Sequence, residues 1–197
     1  MDVHLPQLQK LRGLLEIAEV GDIARRYAAM NAFDGILTIM GVLVGSYSAH
    51  IREPRVVLTT GLATAIAVGI SGLWGAYLTE TAERKRSLAE LGTLVLTDLR
   101  KTRLGRASQA AVIVVALVDG LSPLIASLCV LLPFMLAPLL PPAAPLYAVA
   151  LGIALAGLFG LGAYLGTISR EHLMVAGLKT VGAGVVCVAI NLLLGAH

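Results

Sequence analysis

The chain has 197 residues, of which 57% are hydrophobic and only 14% are charged. A soluble domain of this length needs more surface charge than these residues supply, so the composition excludes a water-soluble globular protein. The net charge of +3 comes from basic residues gathered in a few segments and requires no nucleic-acid partner. Apolar segments of about 20 residues recur, each long enough to cross a bilayer as a helix. We therefore predict an integral, multi-pass membrane protein.

The first 24 residues carry charges throughout and contain no unbroken apolar core, so we expect no signal peptide here. Their leucines instead recur at the spacing of one helical face. We predict an amphipathic cytoplasmic helix over residues 1–24, packed on the protein's own surface or lying at the lipid interface. The leucines that define this face are Leu5, Leu8, Leu11, Leu14 and Leu15.

Residues 25–197 are predicted to form one membrane domain with five spanning helices and an all-α fold. Helices are favoured over a barrel because the apolar runs are continuous and lack the period-two alternation of barrel strands. A charged helical extension over residues 79–106 is predicted to follow the second span into the cytoplasm. The predicted spans are Tyr27–Tyr47, Val56–Leu78, Ala107–Phe134, Leu146–Leu165 and Leu173–Leu194.

Basic residues are distributed unevenly between the two sides of the predicted spans. They are concentrated in the N-terminal segment and after the second span, and Arg170 follows the fourth, whereas the other side carries only Arg52 and Arg55. Because cytoplasmic loops are enriched in Lys and Arg, the N-terminus is predicted to face the cytoplasm and the C-terminus the opposite side.

The chain contains a weak internal echo at an offset of about 86 residues. Asp34-Gly35 in the first span corresponds to Asp119-Gly120 in the third, and Gly75–Leu78 in the second to Gly162–Leu165 in the fourth. This predicts a parallel repeat of two helices, with the fifth helix left over. Repeats with a site between them are common in transporters, although chance similarity among Gly- and Ala-rich helices is the alternative.

Two aspartates, Asp34 and Asp119, fall inside predicted spans. Inserting a carboxylate at the centre of a membrane helix costs on the order of 3 kcal/mol. Each aspartate is therefore expected to face a water-filled cavity or the other aspartate, and to line a path for cations or protons. The alternative is a structural ion pair, for which Lys179 in the fifth span is the candidate partner.

The neighbours of the two aspartates suggest the kind of cation. Met30 and Asn31 precede Asp34 by one helical turn, and carboxylate, amide oxygen and thioether together suit Fe²⁺ or Mn²⁺ better than Na⁺.

The backbone near Asp119 is also unusual. Pro123 follows Asp119 by four residues and has no N–H, so the Asp119 carbonyl lacks its usual hydrogen bond within the helix.

The predicted extension of the second span carries Glu80, Glu83 and Glu90, whose spacing allows one helical face. Such a run is often a solvated, salt-bridged helix. The alternative is a vestibule of carboxylates that attracts metal ions before they reach Asp34. We therefore name Asp34, Glu80 and Glu83 as candidate metal ligands.

The segment NAFDGILTIMGVLVG resembles the first-helix signature of the vacuolar iron transporter family, approximately Ala-Asn-Asp-Gly-Leu followed by small and apolar residues. The five-span layout and the carboxylates after the second span agree, and the resemblance covers most of the chain from Arg25 to Leu194. It implies a homodimer that carries Fe²⁺ or Mn²⁺ out of the cytosol, generally against protons. The role of the first-helix aspartate would fall on Asp34.

Two departures point to a divergent, prokaryote-like branch of that family. Where the family has Gly-Glu-Tyr, this chain has Gly75-Ala76-Tyr77, and Glu80, one turn further on, is the candidate substitute. The cytoplasmic insert is short, with about 28 residues joining the second and third spans.

The sequence thus predicts a homodimeric divalent-metal exporter, working by proton antiport, in a cell membrane rather than a vacuolar one. Its partners are the lipid bilayer and the transported metal, with no tightly bound cofactor. The alternative is a non-transporting membrane assembly or binding module. A lipid-modifying enzyme is disfavoured because the chain has no His-rich or clustered-aspartate motif.

Overall fold

The computed structural model describes residues 20–95, 102–139 and 145–195. Of these residues, 93% are helical and none lies in a strand. Five of the described helices are long and apolar enough to cross a membrane, which confirms the predicted all-α, five-span fold. They are α1 (Val20–Ser48), α2 (Pro54–Val95), α3 (Arg103–Met135), α4 (Leu146–Ser169) and α5 (Leu173–Gly195), and a short 3-10 helix (Ala137–Leu139) follows α3.

The helices agree with the predicted spans in position but are longer at several ends. Helix α1 is already helical at Val20, the first described residue, and not only from Tyr27, and α2 continues without a break from its apolar part to Val95. The predicted extension is therefore the same helix as the second span up to Val95, and its last residues, 103–106, open α3. The amphipathic helix predicted over residues 1–24 lies largely outside the described residues, which begin at 20.

The chain divides into two compact units. One contains Met1–Ala28 and Ile70–Leu121, and the other contains Ala29–Gly69 and Ser122–His197. The boundary between the units crosses the three continuous helices α1, α2 and α3, so the apolar pattern of the sequence does not mark it.

The second unit has a core built from one face of α1. Ile39, Met40 and Leu43 have no solvent-exposed surface and belong to the same cluster as Leu131 of α3 and Leu158 of α4. Their spacing of one, three and four residues places them on a single helical face. This buried face holds α1 in place and leaves the opposite face for other contacts.

Helices α4 and α5 approach each other closely through small residues. A Cβ atom added to Gly162 would lie 2.6 Å from the Ala176 carbonyl oxygen, and one added to Gly166 would lie 2.8 Å from the Ala176 Cβ. Backbones approach this closely in membranes when small residues recur every fourth position. The Gly162–Gly166 pair therefore serves a helix contact within the chain.

Aromatic side chains cluster near the limits of the predicted spans in each unit. Tyr147, at the start of α4, makes edge-to-face contacts with Tyr47 and Phe134, with ring centroids 5.4 and 5.1 Å apart. In the other unit, Trp74 and Tyr77 pair at 6.1 Å. Tyrosine and tryptophan favour the membrane–water interface, and the positions of these residues fit the limits of the predicted spans.

The Tyr147 hydroxyl fixes the loop between α1 and α2 by donating a hydrogen bond to the Ile51 carbonyl oxygen at 2.6 Å. We expect Tyr147→Phe to lower the free energy of unfolding by about 1 kcal/mol, because it removes this bond and leaves the aromatic contacts. Thermal unfolding in detergent measures the effect, with Tyr164→Phe at an exposed tyrosine as the control. Equal melting temperatures for the two variants would show that the bond contributes nothing.

Candidate cation pathway

Asp34 lies on an exposed face of α1, within the second unit. Met30, four residues earlier, is 52% exposed, and Asn31, three residues earlier, is partly buried. Gly41 and Gly45 follow Asp34 by seven and eleven residues, which is about two and three helical turns. These residues share one side of the helix, and we refer to Met30, Asp34, Gly41 and Gly45 as the Asp34 face.

The Asp34 face is largely uncovered by the rest of the described chain. A Cβ atom added to Gly45 would meet nothing within 4 Å among the described residues, and one added to Gly41 would meet only the side-chain amide of Asn191, at 3.9 Å. The Asp34 face therefore presents a carboxylate, a thioether and a flat glycine surface outward from the membrane part of α1.

The backbone beside Asp34 is held from the opposite side. Gly35 is buried, and a Cβ atom added to it would lie 2.7 Å from the Cα of Pro123 in α3. The Ser127 hydroxyl donates a hydrogen bond to the Gly35 carbonyl oxygen at 3.2 Å. Because these contacts fix the helix next to it, Asp34 projects from a rigid position rather than from a loop.

Asp119 has different surroundings from Asp34. It is only 8% exposed, within the first unit, and packs against a glycine of α2. A Cβ atom added to Gly72 would lie 3.0 Å from the Asp119 carbonyl oxygen and 3.2 Å from its Oδ2. Gly72 thus provides the room in which the Asp119 backbone and carboxylate approach α2. The sequence did not single out Gly72, because it is one glycine among several in that helix.

Two of the three glutamates predicted to attract metal are engaged by arginines. Glu80 Oε2 lies 3.1 Å from Arg84 Nε, with both side chains less than one-fifth exposed. Glu90 Oε1 lies 2.9 Å from Arg86 Nε on the exposed surface. Such i,i+4 ion pairs are typical of a solvated, salt-bridged helix, which the charge pattern allowed as the alternative to a metal-attracting vestibule. Glu83 is exposed, and the metal-attracting role of the three stays a prediction.

Lys179 was the candidate partner for an intramembrane aspartate. The structure instead places its Nζ 2.8 Å from Oε2 of Glu171, which lies just before the start of α5, and both side chains are well exposed. The physical reason is proximity: Glu171 is only 8 residues before Lys179, near the end of α5 where a lysine side chain reaches water.

The role of Asp34, Glu80 and Glu83 as metal ligands stays a prediction. Within residues 20–95, 102–139 and 145–195, no three His, Cys, Asp or Glu side chains come together in a way that could hold a metal ion. In the described part of one chain, Asp34 has Met30 and Asn31 as its nearest candidate co-ligands along the helix.

Comparison with known proteins identifies the family. A sequence model of the VIT family matches residues 26–94, which include Asp34, the Gly75-Ala76-Tyr77 segment and all three glutamates of α2. An uncharacterized protein of the archaeon Methanocaldococcus jannaschii is 34% identical over 173 residues, covering 86% of this chain and 87% of that protein. The VIT family is a family of transporters and not of enzymes. The chain therefore belongs to the VIT (vacuolar iron transporter) family, which moves metal ions across membranes.

Proposed function

We propose that this chain exports Fe²⁺ or Mn²⁺ from the cytosol in exchange for protons, with Asp34 as the cation site within the membrane. The observation that carries the proposal is the exposed position of Asp34 on a spanning helix fixed from its other side. A carboxylate at such a depth is costly to insert and is found on ion or proton paths. Membership of a metal-transporting family supports the same role.

The donor set near Asp34 supports a borderline divalent metal. The carboxylate and the amide oxygen of Asn31 are hard donors, whereas the exposed thioether of Met30 is soft. Na⁺ and Ca²⁺ bind oxygen almost exclusively, so the thioether favours Fe²⁺ or Mn²⁺. Metal binding requires the carboxylate to be deprotonated, so loading the site from a protonated state releases a proton. This provides the physical link to proton exchange.

We propose a homodimer in which the Asp34 faces of two chains meet. One described chain offers a single aspartate there, whereas a two-fold axis would bring two copies of Asp34, Met30 and Asn31 together. The uncovered glycines Gly41 and Gly45 would allow α1 of one chain to approach α1 of its partner closely.

Gly45→Leu is expected to weaken this dimer by about tenfold, because a bulky side chain would separate the two helices. The matched control is Gly152→Leu in α4, at another exposed glycine whose added Cβ meets nothing within 4 Å among the described residues. Single-molecule counting of labelled protein in liposomes, over a range of dilutions, measures the monomer–dimer balance. The same balance for both variants would show that α1 is not the interface.

The glutamates of α2 are proposed to attract cations to the predicted cytoplasmic entrance. Glu80 and Glu90 already carry arginine partners, so Glu83 is the carboxylate best placed to exchange metal with solvent. The non-transporting alternative relied on Lys179 as a counter-charge, and the ion pair of Lys179 with Glu171 gives it no support.

Metal flux into proteoliposomes tests the proposal. The purified chain, reconstituted with a fluorescent metal indicator inside, should take up Mn²⁺ and Fe²⁺ but not Ca²⁺. Uptake should accelerate when the lumen is acidic relative to the outside, and an internal pH indicator should report proton loss. Uptake no faster than in protein-free liposomes would overturn the proposed transport, and uptake indifferent to the proton gradient would overturn the antiport.

A further inference from the structure

A cavity of about 540 Å³ lies within the first unit. It is formed between the outer part of α2 and the first turns of α3. This volume is in the range of sites that hold small organic ligands. The proposed metal pathway assigns no role to it.

The lining of the cavity divides into a polar and an apolar part. The polar part comprises Thr81, Arg84 and Lys85 of α2 and Ser108 and Gln109 of α3. On α3 the apolar residues Val112 and Ile113 follow one turn deeper into the predicted span, and on α2 Tyr77 lies one turn before Thr81, at the predicted membrane boundary.

Leu88, one turn beyond Arg84 on α2, also lines the cavity. The cavity is therefore amphipathic along the membrane normal, with its charged part at the membrane surface and most of its apolar part toward the hydrocarbon.

The charge of the lining is positive. Arg84 and Lys85 line the cavity, and among the described residues no aspartate or glutamate does. Arg84 is held by Glu80, whereas Lys85 is exposed and makes no ion pair within the described ranges. Gly105, in the first turn of α3, also lines the cavity, so the positive end of that helix dipole lies beside the two cations. The site is suited to an anion.

We propose that this cavity binds an anionic phospholipid, with the phosphate at Lys85 and Arg84 and an acyl chain along Tyr77, Val112 and Ile113. Gln109 and Ser108 would donate hydrogen bonds to the headgroup. A lipid is favoured over a soluble anion because the lining is apolar on the membrane side. Basic pockets between spanning helices at the cytoplasmic surface, where anionic lipids are enriched, bind such headgroups. The proposal does not depend on metal transport.

Native mass spectrometry of the purified full chain in detergent, titrated with single lipids, tests this site. Phosphatidylglycerol is expected to bind more tightly than phosphatidylcholine of the same chain length. Lys85→Gln should weaken phosphatidylglycerol binding by about fivefold, the effect of removing one cation near a headgroup. Arg86→Gln is the matched control, since it removes the same charge from the next residue of α2, which does not line the cavity.

A second variant tests the cavity itself rather than its charge. Gln109→Trp should fill the polar part of the cavity and reduce binding of phosphatidylglycerol, with the melting temperature recorded to confirm folding. A large excess of glycerol 3-phosphate should not displace the lipid, because it lacks the acyl chain.

Equal losses of binding in Lys85→Gln and Arg86→Gln would overturn the proposal in favour of diffuse surface charge. Equal affinity for phosphatidylcholine, unchanged binding in Gln109→Trp, or displacement by glycerol 3-phosphate would each overturn it as well.

Discussion

Asp34→Asn is expected to reduce Mn²⁺ uptake into proteoliposomes by at least about tenfold, since loss even of an outer-shell partner of a metal costs 10–100-fold in affinity or activity. Asparagine has nearly the same size, so the fold should be unaffected, whereas the negative charge and the exchangeable proton are both lost. Because Asp34 is exposed in the described chain, the substitution should leave the buried core unchanged. The measurement is the initial rate of uptake at several Mn²⁺ concentrations.

The control is Asp22→Asn on the same helix. Asp22 is exposed, pairs with Arg25 and lies before the predicted first span. Its replacement should leave the uptake rate unchanged, while Asp34→Glu, which keeps the carboxylate, should retain part of it. If Asp34→Asn transported Mn²⁺ at the normal rate, Asp34 would not be part of the cation pathway and the proposed site within the membrane would be wrong.

Gly35→Ala is expected to destabilise the fold by about 2 kcal/mol. The added Cβ would lie 2.7 Å from Pro123 Cα and 2.9 Å from its carbonyl carbon, and backbone atoms within a helix cannot move aside as a flexible side chain can. This cost opposes the gain of about 1 kcal/mol that alanine normally brings over glycine inside a helix. The substitution also pushes against the contact that holds α1 beside Asp34, so transport should fall along with stability.

The matched control for Gly35→Ala is Gly152→Ala in α4, at an exposed glycine with nothing within 4 Å of its added Cβ among the described residues. Here the helix propensity acts alone, so the free energy of unfolding should rise slightly. Opposite signs for the two variants in thermal unfolding are the expected result. A stabilised Gly35→Ala protein would show that α1 and α3 are not packed as described.

The spanning helices were predictable because a continuous apolar run of membrane length has few alternatives to a helix. The same reasoning predicted a helical extension after Leu78, which the structure shows as far as Val95. Where the apolar signal ended, the bounds were less accurate: α1 is already helical at Val20, before the predicted start at Tyr27, since a helix continues into water through Arg25 and Arg26 without any apolar pattern.

The side-chain pairings were not predictable to the same extent. Glu80 has Arg84 one turn away, and Glu171 lies 8 residues before Lys179, but the sequence offers several partners for each charge and does not specify which is chosen. Partners close in sequence prevailed in both cases, since such a pairing requires little ordering of the chain.

The sequence also did not predict that Asp34 and Asp119 have different surroundings. The echo between Asp34-Gly35 and Asp119-Gly120 suggests equivalent positions, yet one aspartate is exposed and the other is buried beside Gly72. Burial depends on which residues of other helices approach, and periodicity along one helix does not report this. Asp34 is for this reason the stronger candidate for direct contact with a transported ion.

Anomalous diffraction from crystals soaked in Mn²⁺ tests the central claim, that Asp34 is the metal site within the membrane, most directly. The account predicts a manganese peak within bonding distance of the Asp34 carboxylate, with Met30 and Asn31 beside it, that is absent from crystals of Asp34→Asn. A protein that transports Mn²⁺ but shows its membrane peak at other residues, with none at Asp34, would contradict the account.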